Sequence, residues 1–208
     1  MIKAVLFDVD GVLLDSFEAN LKFNQDLMRH TGHTPPTREK FPEYFHLTLW
    51  DIIKGMTGLR SDEEIQKIYD VAKGHDVRYA VELITMPPRA GEIIEALSRD
   101  YKLGIVTSRI RDHVFASPDL EKLKDYFSTT VVFEETEHHK PHPEPLLLAA
   151  KKLGVAHVEC VYVGDAHTDI EAGKSAGMKV ICYNTKQYEG ANAYTDSFEN
   201  IPELIKTL

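Results

Sequence analysis

The chain has 208 residues, of which 43% are hydrophobic, enough for one large domain or for a domain that carries a smaller one. Its 33 acidic residues outnumber its 24 basic residues and give a net charge of −9, which argues against nucleic acid or an anionic membrane as a partner. Local positive groups or a metal ion must therefore hold any anionic substrate.

Two cysteines, Cys160 and Cys182, lie in apolar stretches typical of strands. This placement indicates buried thiols in a reducing compartment and not a disulfide framework. No apolar run approaches membrane-spanning length, and the N-terminus lacks the layout of a signal peptide. We therefore expect a cytoplasmic protein.

The first predicted element is a short buried strand that ends in two carboxylates. Ala4 to Phe7 is apolar, partly β-branched and too short for a helix. Asp8 and Asp10 follow it, and Gly11 allows a sharp turn just after them. Ligands of open α/β sheets bind beyond the carboxyl ends of the strands, so both aspartates lie where a site is expected.

Two carboxylates this close repel each other when both are ionised. They are compatible with a bound cation, with a shared proton, or with different roles for the two groups. Mg²⁺ is a suitable cation because it prefers oxygen ligands, and an aspartate can also attack phosphorus as a nucleophile. Taken alone, an Asp-x-Asp pair is more often an exposed acidic turn.

A helical segment is predicted next. Asp15 or Ser16 caps a helix that runs to about Arg29. From Thr37 to Thr85 the apolar spacing is helical throughout, and the run ends at Met86-Pro87-Pro88.

Beyond this break, helices and strands alternate. The predicted elements are a helix at 92–98, strands at 103–107 and 131–133, a helix at 145–153, a strand at 160–163, a helix at 168–176, a strand at 180–183 and a helix at 200–208. Alternation of this kind predicts a parallel sheet with right-handed crossovers. The predicted fold is an α/β, Rossmann-like core formed by residues 1–15 and 86–208, with an inserted all-helical domain at 16–85.

Further polar groups follow the later strands. Thr107-Ser108 follows one strand, Asp165 follows another with Asp169 four residues later, and Lys140 lies in the loop before a helix. In a parallel sheet these loops open on the same edge as Asp8. Carboxylates for a metal, hydroxyls for phosphate oxygens and an ammonium group are the components of a phosphoryl-transfer site. Each motif alone is more often a helix cap, a turn or a surface residue, so the prediction depends on their joint placement.

These motifs resemble those of haloacid dehalogenase superfamily hydrolases of the phosphatase type with a helical cap, the group of phosphoglycolate phosphatases and β-phosphoglucomutases. The resemblance spans the chain in the family's order and is carried by Asp8 to Ser16, Thr107-Ser108, Lys140 to Pro143, Gly164 to Asp169, Ala172-Gly173 and Ala176 to Met178.

The resemblance implies a role for each motif residue. Asp8 would be the nucleophile and Asp10 the general acid and base. Thr107, with Ser108, would bind phosphate. Lys140 would steady both the nucleophile and the charge of the phosphoryl group.

The resemblance also implies a bound Mg²⁺ ion. Its ligands would be Asp165, the Asp8 carboxylate and the backbone carbonyl of Asp10, with Asp169 supporting the metal shell. The presence of Asp10 favours phosphate chemistry over dehalogenation, because the family's dehalogenases lack that residue.

Substrate choice in this family belongs to the cap and its loops. Candidate polar groups there are His46, Lys54 and Arg60. Phosphoglycolate, a sugar phosphate, a nucleotide and pyrophosphate all stay open as substrates. Two departures from the family pattern, Ala166 for a frequent serine and Ser108-Arg109 for a frequent asparagine, leave the closest subfamily open.

Three histidines, His138, His139 and His142, flank Lys140. They invite a transition-metal interpretation. Their spacing is poor for one site, however, and the carboxylates suit Mg²⁺ better. We interpret them as an exposed polar loop, which gains positive charge below a pH of about 6.5.

The leading prediction is a Mg²⁺-dependent phosphatase that hydrolyses a small phosphomonoester through an aspartyl-phosphate on Asp8. The main alternative is a sugar-phosphate mutase of the same superfamily, which would pass the phosphoryl group to a sugar hydroxyl instead of water. A phospho-accepting signalling module of the receiver type is a weaker alternative. Such modules take the phosphoryl group at the third strand and carry their lysine last, whereas Lys140 precedes Asp165.

Overall fold

The computed structural model describes every residue except His46, His75 and Thr185. The chain divides into two compact units, one formed by Met1–Asp15 with Met86–Leu208 and the other by Ser16–Thr85. We call them the core unit and the inserted unit.

The core unit is built on a six-stranded sheet in which every strand pairing is parallel. Its strands are β1 Ala4–Phe7, β2 Lys102–Val106, β3 Phe127–Val131, β4 Cys160–Gly164, β5 Lys179–Tyr183 and β6 Ala193–Thr195. Their spatial order is β3-β2-β1-β4-β5-β6. The predicted α/β class with a Rossmann-like parallel sheet is confirmed.

The central strand β1 is buried along its whole length and consists only of apolar residues. It pairs with β2 on one side and β4 on the other, and Phe7 lies level with Ile105 and Val163. The chain runs outward from β1 to β3 and then returns to the other side of β1 as β4. This reversal creates a crevice beyond the carboxyl ends of β1 and β4, where ligands of such sheets bind.

The α-helices of the described residues are α1 Phe17–His30, α2 Leu49–Thr57, α3 Asp62–Lys73, α4 Ala90–Ser98, α5 Pro118–Glu121, α6 Glu144–Leu153, α7 His167–Ser175 and α8 Ile201–Thr207. In the core unit, α6 packs its buried residues Leu146, Ala149 and Leu153 into one apolar cluster with β1 and β4. A left-handed glycine, Gly154, ends α6 at φ +65°.

The inserted unit contains α1, α2 and α3, with short 3-10 turns at Phe41–Glu43 and Val81–Leu83. Between residues 16 and 85, His46 and His75 apart, no segment forms a strand. The unit has its own apolar cluster, in which Leu27, Ile53 and Ile65 are fully buried. Burial of each such side chain contributes roughly 1.5–3 kcal/mol.

Two predictions about the sheet are corrected by the structure. The strand predicted at 131–133 lies at Phe127–Val131, and Phe133–Glu135 forms a 3-10 turn instead. The polar residues 128–130 obscured this strand, although its side chains alternate between the buried core and the surface. β6 was not predicted because it is only 3 residues long. The other predicted elements of the core are present, with ends displaced by a few residues.

Cys160 and Cys182 are buried, unpaired thiols. Burial, with a smaller effect of the Glu159 carboxylate, raises the pKa of Cys160 to about 11, which keeps the thiol protonated and inert. In the part of the chain that the structure describes, no helix is both long and apolar enough to cross a bilayer.

Separate apolar clusters in the two units predict that the core unit folds alone. We expect a variant in which residues 16–85 are replaced by a short Gly/Ser linker to unfold cooperatively and to keep the far-UV circular dichroism of an α/β sheet. The full chain is the control. A variant that shows no cooperative thermal transition would contradict this expectation.

Candidate active site

Polar residues that follow three neighbouring strands lie at one edge of the sheet. Asp8 follows β1, Thr107 follows β2 and Asp165 follows β4. All three are buried. The parallel direction of the strands therefore brings these predicted site residues to the crevice beside β1.

A buried ammonium group joins two of the carboxylates. Lys140 Nζ lies 3.0 Å from an Asp8 carboxylate oxygen. It also donates hydrogen bonds to Asp169 Oδ1 at 2.7 Å and to the Tyr162 hydroxyl at 3.0 Å. The Lys140 side chain is only 7% exposed, so these contacts replace its hydration.

Asp169 accepts hydrogen bonds on both of its carboxylate oxygens. Its Oδ1 accepts from Lys140 and, at 2.9 Å, from the Tyr162 hydroxyl. Its Oδ2 accepts the backbone N–H groups of Asp165 at 3.2 Å and Ala166 at 3.1 Å. Asp169 thereby fixes both the start of α7 and the position of the lysine.

Asp165 lies against the turn that follows β1. The space next to Gly11, where φ is +80°, is filled by the Asp165 carboxylate, which would come within 2.0 Å of any added Cβ. The side-chain amide of Asn184 donates a hydrogen bond to the Asp165 backbone carbonyl at 2.8 Å and so restrains the turn that follows β4. Only glycine at position 11 leaves room for this approach.

Two of the buried carboxyls hold their protons more tightly than usual. Burial raises the pKa of Asp8 to about 7. The Lys140 ammonium acts to lower this pKa, and repulsion from Asp169 and Asp10 offsets part of that effect. Burial, with repulsion from Asp169 and Asp8, also raises the pKa of Asp165 well above its ordinary value. The site thus has more buried carboxylates than one ammonium can neutralise.

The lysine and its main partner shift in the opposite sense. Burial disfavours the charged forms of Lys140 and Asp169. At Lys140, attraction to the Asp169 and Asp8 carboxylates outweighs burial and raises the pKa. At Asp169, the attraction and hydrogen bond of Lys140 outweigh burial and lower the pKa. Lys140 and Asp169 therefore form an ionised pair inside the site.

A divalent cation fits the remaining carboxylates. Ligand oxygens of Asp8, Asp165 and Asp169 all lie within 4.8 Å of one another. An all-oxygen set of this kind suits Mg²⁺. Since four hydrogen bonds already engage Asp169, Asp8 and Asp165 are the better placed of the three as direct ligands.

Asp10 is held by an arginine that follows β2. Arg109 Nε donates to one oxygen of Asp10 at 2.7 Å, and its Nη2 donates to the other at 2.6 Å. The third nitrogen, Nη1, donates to the His113 backbone carbonyl at 2.9 Å. The side chains of Arg109 and Asp10 are 9% and 22% exposed, so this two-pronged ion pair is largely shielded from solvent.

The predicted phosphate-binding residues lie in the same turn. Thr107 is buried, and its hydroxyl accepts the Arg109 backbone N–H at 3.1 Å. Ser108, next to it, is partly exposed. The Thr107 hydroxyl thus lies in the same turn as Arg109, the partner of Asp10.

The structure describes two of the three residues of the inserted unit that were predicted as candidates for substrate choice. Lys54 and Arg60 are exposed there, and His46 lies outside the described residues.

The structure separates the three histidines around Lys140. The His139 ring stacks on Phe133, with ring centroids 4.0 Å apart. The His138 and His142 rings lie 4.5 Å from each other. The sequence spacing did not reveal the closeness of His138 and His142, which lie on a loop that folds back between them.

Comparison with known proteins agrees with this geometry. The family of haloacid dehalogenase-like hydrolases matches residues 5–183. The chain belongs to this family. It is a hydrolase of the phosphatase type, as the motifs predicted.

Individual relatives match nearly the whole chain. Pyrophosphatase PpaX of Bacillus velezensis is 31% identical over 211 residues, which cover 98% of this chain and 95% of that protein. A subfamily IA, variant 1 hydrolase of the superfamily from Geobacter sulfurreducens is 27% identical, covers 98% of this chain and 96% of its own, and superposes with a TM-score of 0.73. β-Phosphoglucomutase from Clostridium difficile has a TM-score of 0.78 at 24% identity, with coverages of 100% and 98%, which is a likeness of fold.

Three residues of this hydrolase site were not predicted as members. Arg109 was noted only as a departure from the family pattern, Tyr162 lies inside a strand, and Asn184 follows β5. Asn184 carried a usable signal, because it is a polar residue at the carboxyl end of a strand. The hydrogen bonds of Tyr162 depend on side-chain direction within the sheet, which a sequence does not reveal.

The pKa shifts predict a coupling between pH, magnesium and stability. The pKa of Asp8 is raised from 3.8 to about 7, so the metal-free folded protein loses stability as the pH rises through that interval. Deprotonation of the carboxyls favours the binding of a cation, because the cation offsets the repulsion between the carboxylates. We expect Mg²⁺ to raise Tm more at about pH 7.5 than at about pH 5.5, relative to EDTA.

Asp165→Asn should abolish most of the magnesium effect on Tm, because it removes a proposed ligand. Asp125→Asn, at an exposed position of the core unit, is the matched control and should behave as the wild type. A magnesium shift that is equal at both pH values, or unchanged in Asp165→Asn, would contradict the assignment.

Proposed function

We propose that this hydrolase is a Mg²⁺-dependent phosphatase that transfers a phosphoryl group to Asp8 and then to water. The observation that carries the proposal is the Asp8 carboxylate, buried at the end of β1, 3.0 Å from Lys140 and next to Asp165. The proposed nucleophile therefore lies beside an ammonium and a proposed cation ligand, which are the kinds of group that stabilise phosphoryl charge.

In the first step, an Asp8 oxygen attacks phosphorus, and the bond from phosphorus to the leaving oxygen breaks. Asp10 donates a proton to that oxygen where one is required. In the second step, water attacks the aspartyl-phosphate, Asp10 takes a proton from the water, and phosphate leaves as the Asp8 carboxylate is restored. Mg²⁺, held by the carboxylates of Asp8 and Asp165 and the Asp10 carbonyl, would supply charge neutralisation at the phosphoryl oxygens.

The remaining site residues would support these steps. Lys140 neutralises charge on Asp8 and on the phosphoryl group, and Asp169 positions Lys140 through their 2.7 Å contact. The hydroxyls of Thr107 and Ser108 would donate hydrogen bonds to phosphate oxygens. Arg109 positions the Asp10 carboxylate.

Pyrophosphate is the substrate that we propose to test first. Relatives that are 31% and 34% identical to this chain are named as pyrophosphatases. The ion pair between Arg109 and Asp10 supports the same choice. Asp10 must leave Arg109 and approach the leaving oxygen before it can protonate that oxygen. A phosphate leaving group needs less protonation than an alkoxide, so a phosphoanhydride depends less on that exchange.

The test measures phosphate release with Mg²⁺ from pyrophosphate, phosphoglycolate, a hexose phosphate and a nucleoside monophosphate. We expect the highest kcat/KM for pyrophosphate, without any bisphosphate activator. Conversion of a hexose phosphate to its isomer, with activation by a bisphosphate, would favour a mutase instead. A single phosphorylation without turnover would favour a signalling module.

Substitutions at the two aspartates separate nucleophile from acid. Asp8→Asn should form no phosphoenzyme with acetyl phosphate and Mg²⁺. Asp10→Asn keeps the nucleophile but lacks the base for hydrolysis, so phosphoenzyme should accumulate. Intact-protein and peptide mass spectrometry provide the readout. An adduct in Asp8→Asn that maps to another residue would contradict the mechanism.

A further inference from the structure

A second group of metal-binding side chains lies in the loop between β3 and α6 and at the start of α6. His138, His142 and Glu144 each offer a ligand atom, and these atoms lie within 4.8 Å of one another. Nδ1 of His138 is 3.0 Å from Glu144 Oε2, and Nδ1 of His142 is 3.9 Å from the same oxygen. Three side chains therefore converge on one point.

Two of these separations are close to those in a zinc site. In a tetrahedral site with metal–ligand bonds of about 2.0–2.1 Å, neighbouring ligand atoms lie about 3.3 Å apart. The distances of 3.0 and 3.9 Å from Glu144 Oε2 fall on either side of that value. Nδ1 of His142 also accepts the Glu144 backbone N–H at 3.3 Å, so an ion bound at this nitrogen replaces that hydrogen bond.

Glu144 is fixed before any ion binds. Its carboxylate accepts the backbone N–H groups of Glu137 at 3.1 Å and of His138 at 3.0 Å. These hydrogen bonds, with the 3.0 Å contact to the His138 ring, hold the Glu144 carboxylate in place. Pro141 and Pro143, each with a restricted φ, further limit the loop that carries the histidines. Little order has to be created when an ion binds.

The donor atoms select a different ion from that of the active site. Two imidazoles with one carboxylate favour a borderline transition metal, whereas Mg²⁺ prefers an all-oxygen set such as Asp8 with Asp165. The side chains of His138, His142 and Glu144 are 58%, 49% and 35% exposed, so an ion reaches them directly from solution. A cleft of about 740 Å³ is lined by His138 and His142 and extends to Glu171 and Lys174 of α7.

We propose that His138, His142 and Glu144 bind a divalent transition-metal ion of the Zn²⁺ class at a site separate from the catalytic carboxylates. Lys140 lies midway between the two histidines in the chain. An ion bound to both closes the turn of residues 138–142 and restricts the loop from which Lys140 enters the active site. The bound ion thus restricts the position of Lys140 and takes no part in the reaction itself.

The test is isothermal titration of the full chain with Zn²⁺ in excess Mg²⁺, which occupies the carboxylates. We expect the wild type to bind one Zn²⁺ tightly. His138→Ala and His142→Ala should each weaken binding by at least roughly tenfold, since loss of even an outer partner of a ligand costs about 10–100-fold. His157→Ala, at another exposed histidine of the core unit, should bind as the wild type does.

Two further measurements identify the ligands of the bound ion. Co²⁺ in place of Zn²⁺ should give the visible absorption of a low-coordinate nitrogen–oxygen site, and the His138→Ala/His142→Ala double variant should lack it. Glu144→Gln keeps an acceptor for the two backbone N–H groups and should also bind Zn²⁺ more weakly. Wild-type affinity in the double variant, or absence of Zn²⁺ binding to the wild type, would overturn the proposal.

Discussion

The candidate site depends on one buried ammonium group. The idealised cost of moving an ion of this size from water to a protein interior is of order 20 kcal/mol, so Lys140 is tolerable there only with several close partners. Asp8, Asp169 and Tyr162 are those partners, at 2.7 to 3.0 Å. They come from the residue after β1, from α7 and from β4, so a single charge links the loop before α6, the end of the central strand and the final acidic motif.

The four aspartates of this site lie in three kinds of environment. Asp169 is ionised and saturated with hydrogen bonds, whereas burial raises the pKa values of Asp8 and Asp165. Asp10 is paired with Arg109. Groups of one chemical type acquire separate roles when burial and neighbours separate their protonation behaviour. This division supports a site in which one carboxylate positions, two bind a cation or attack phosphorus, and one moves protons.

The sequence predicted the positions of the main site residues because they follow strands of a parallel sheet. Asp8 and Asp165 needed only the strand pattern and the rule that carboxyl ends share an edge. Arg109 and Tyr162 were missed because their roles depend on which way a side chain points. β3 was misplaced because its residues 128–130 are polar, and β6 is too short to give a pattern. The pairing of His138 with His142 required the path of the loop, which spacing alone did not reveal.

The two proposed cation sites differ in the hardness of their ligands and in their exposure. Buried oxygens beyond β1 and β4 suit Mg²⁺, and half-exposed imidazoles near Lys140 suit a softer ion. Lys140 connects them, because its ammonium contacts Asp8 while its backbone lies between the histidines. We therefore expect an ion bound at one proposed site to affect the geometry of the other.

The central claim is that Asp8 is the phosphoryl acceptor in a site neutralised by Lys140 and Mg²⁺. The most direct measurement is a crystal structure of the protein with Mg²⁺ and beryllofluoride, a stable mimic of an aspartyl-phosphate. We expect trifluoroberyllate on an Asp8 oxygen, Lys140 in contact with it, and Mg²⁺ bound by Asp8 and Asp165. Trifluoroberyllate on any other carboxylate, or a cation that is not bound to Asp8 and Asp165, would contradict this claim.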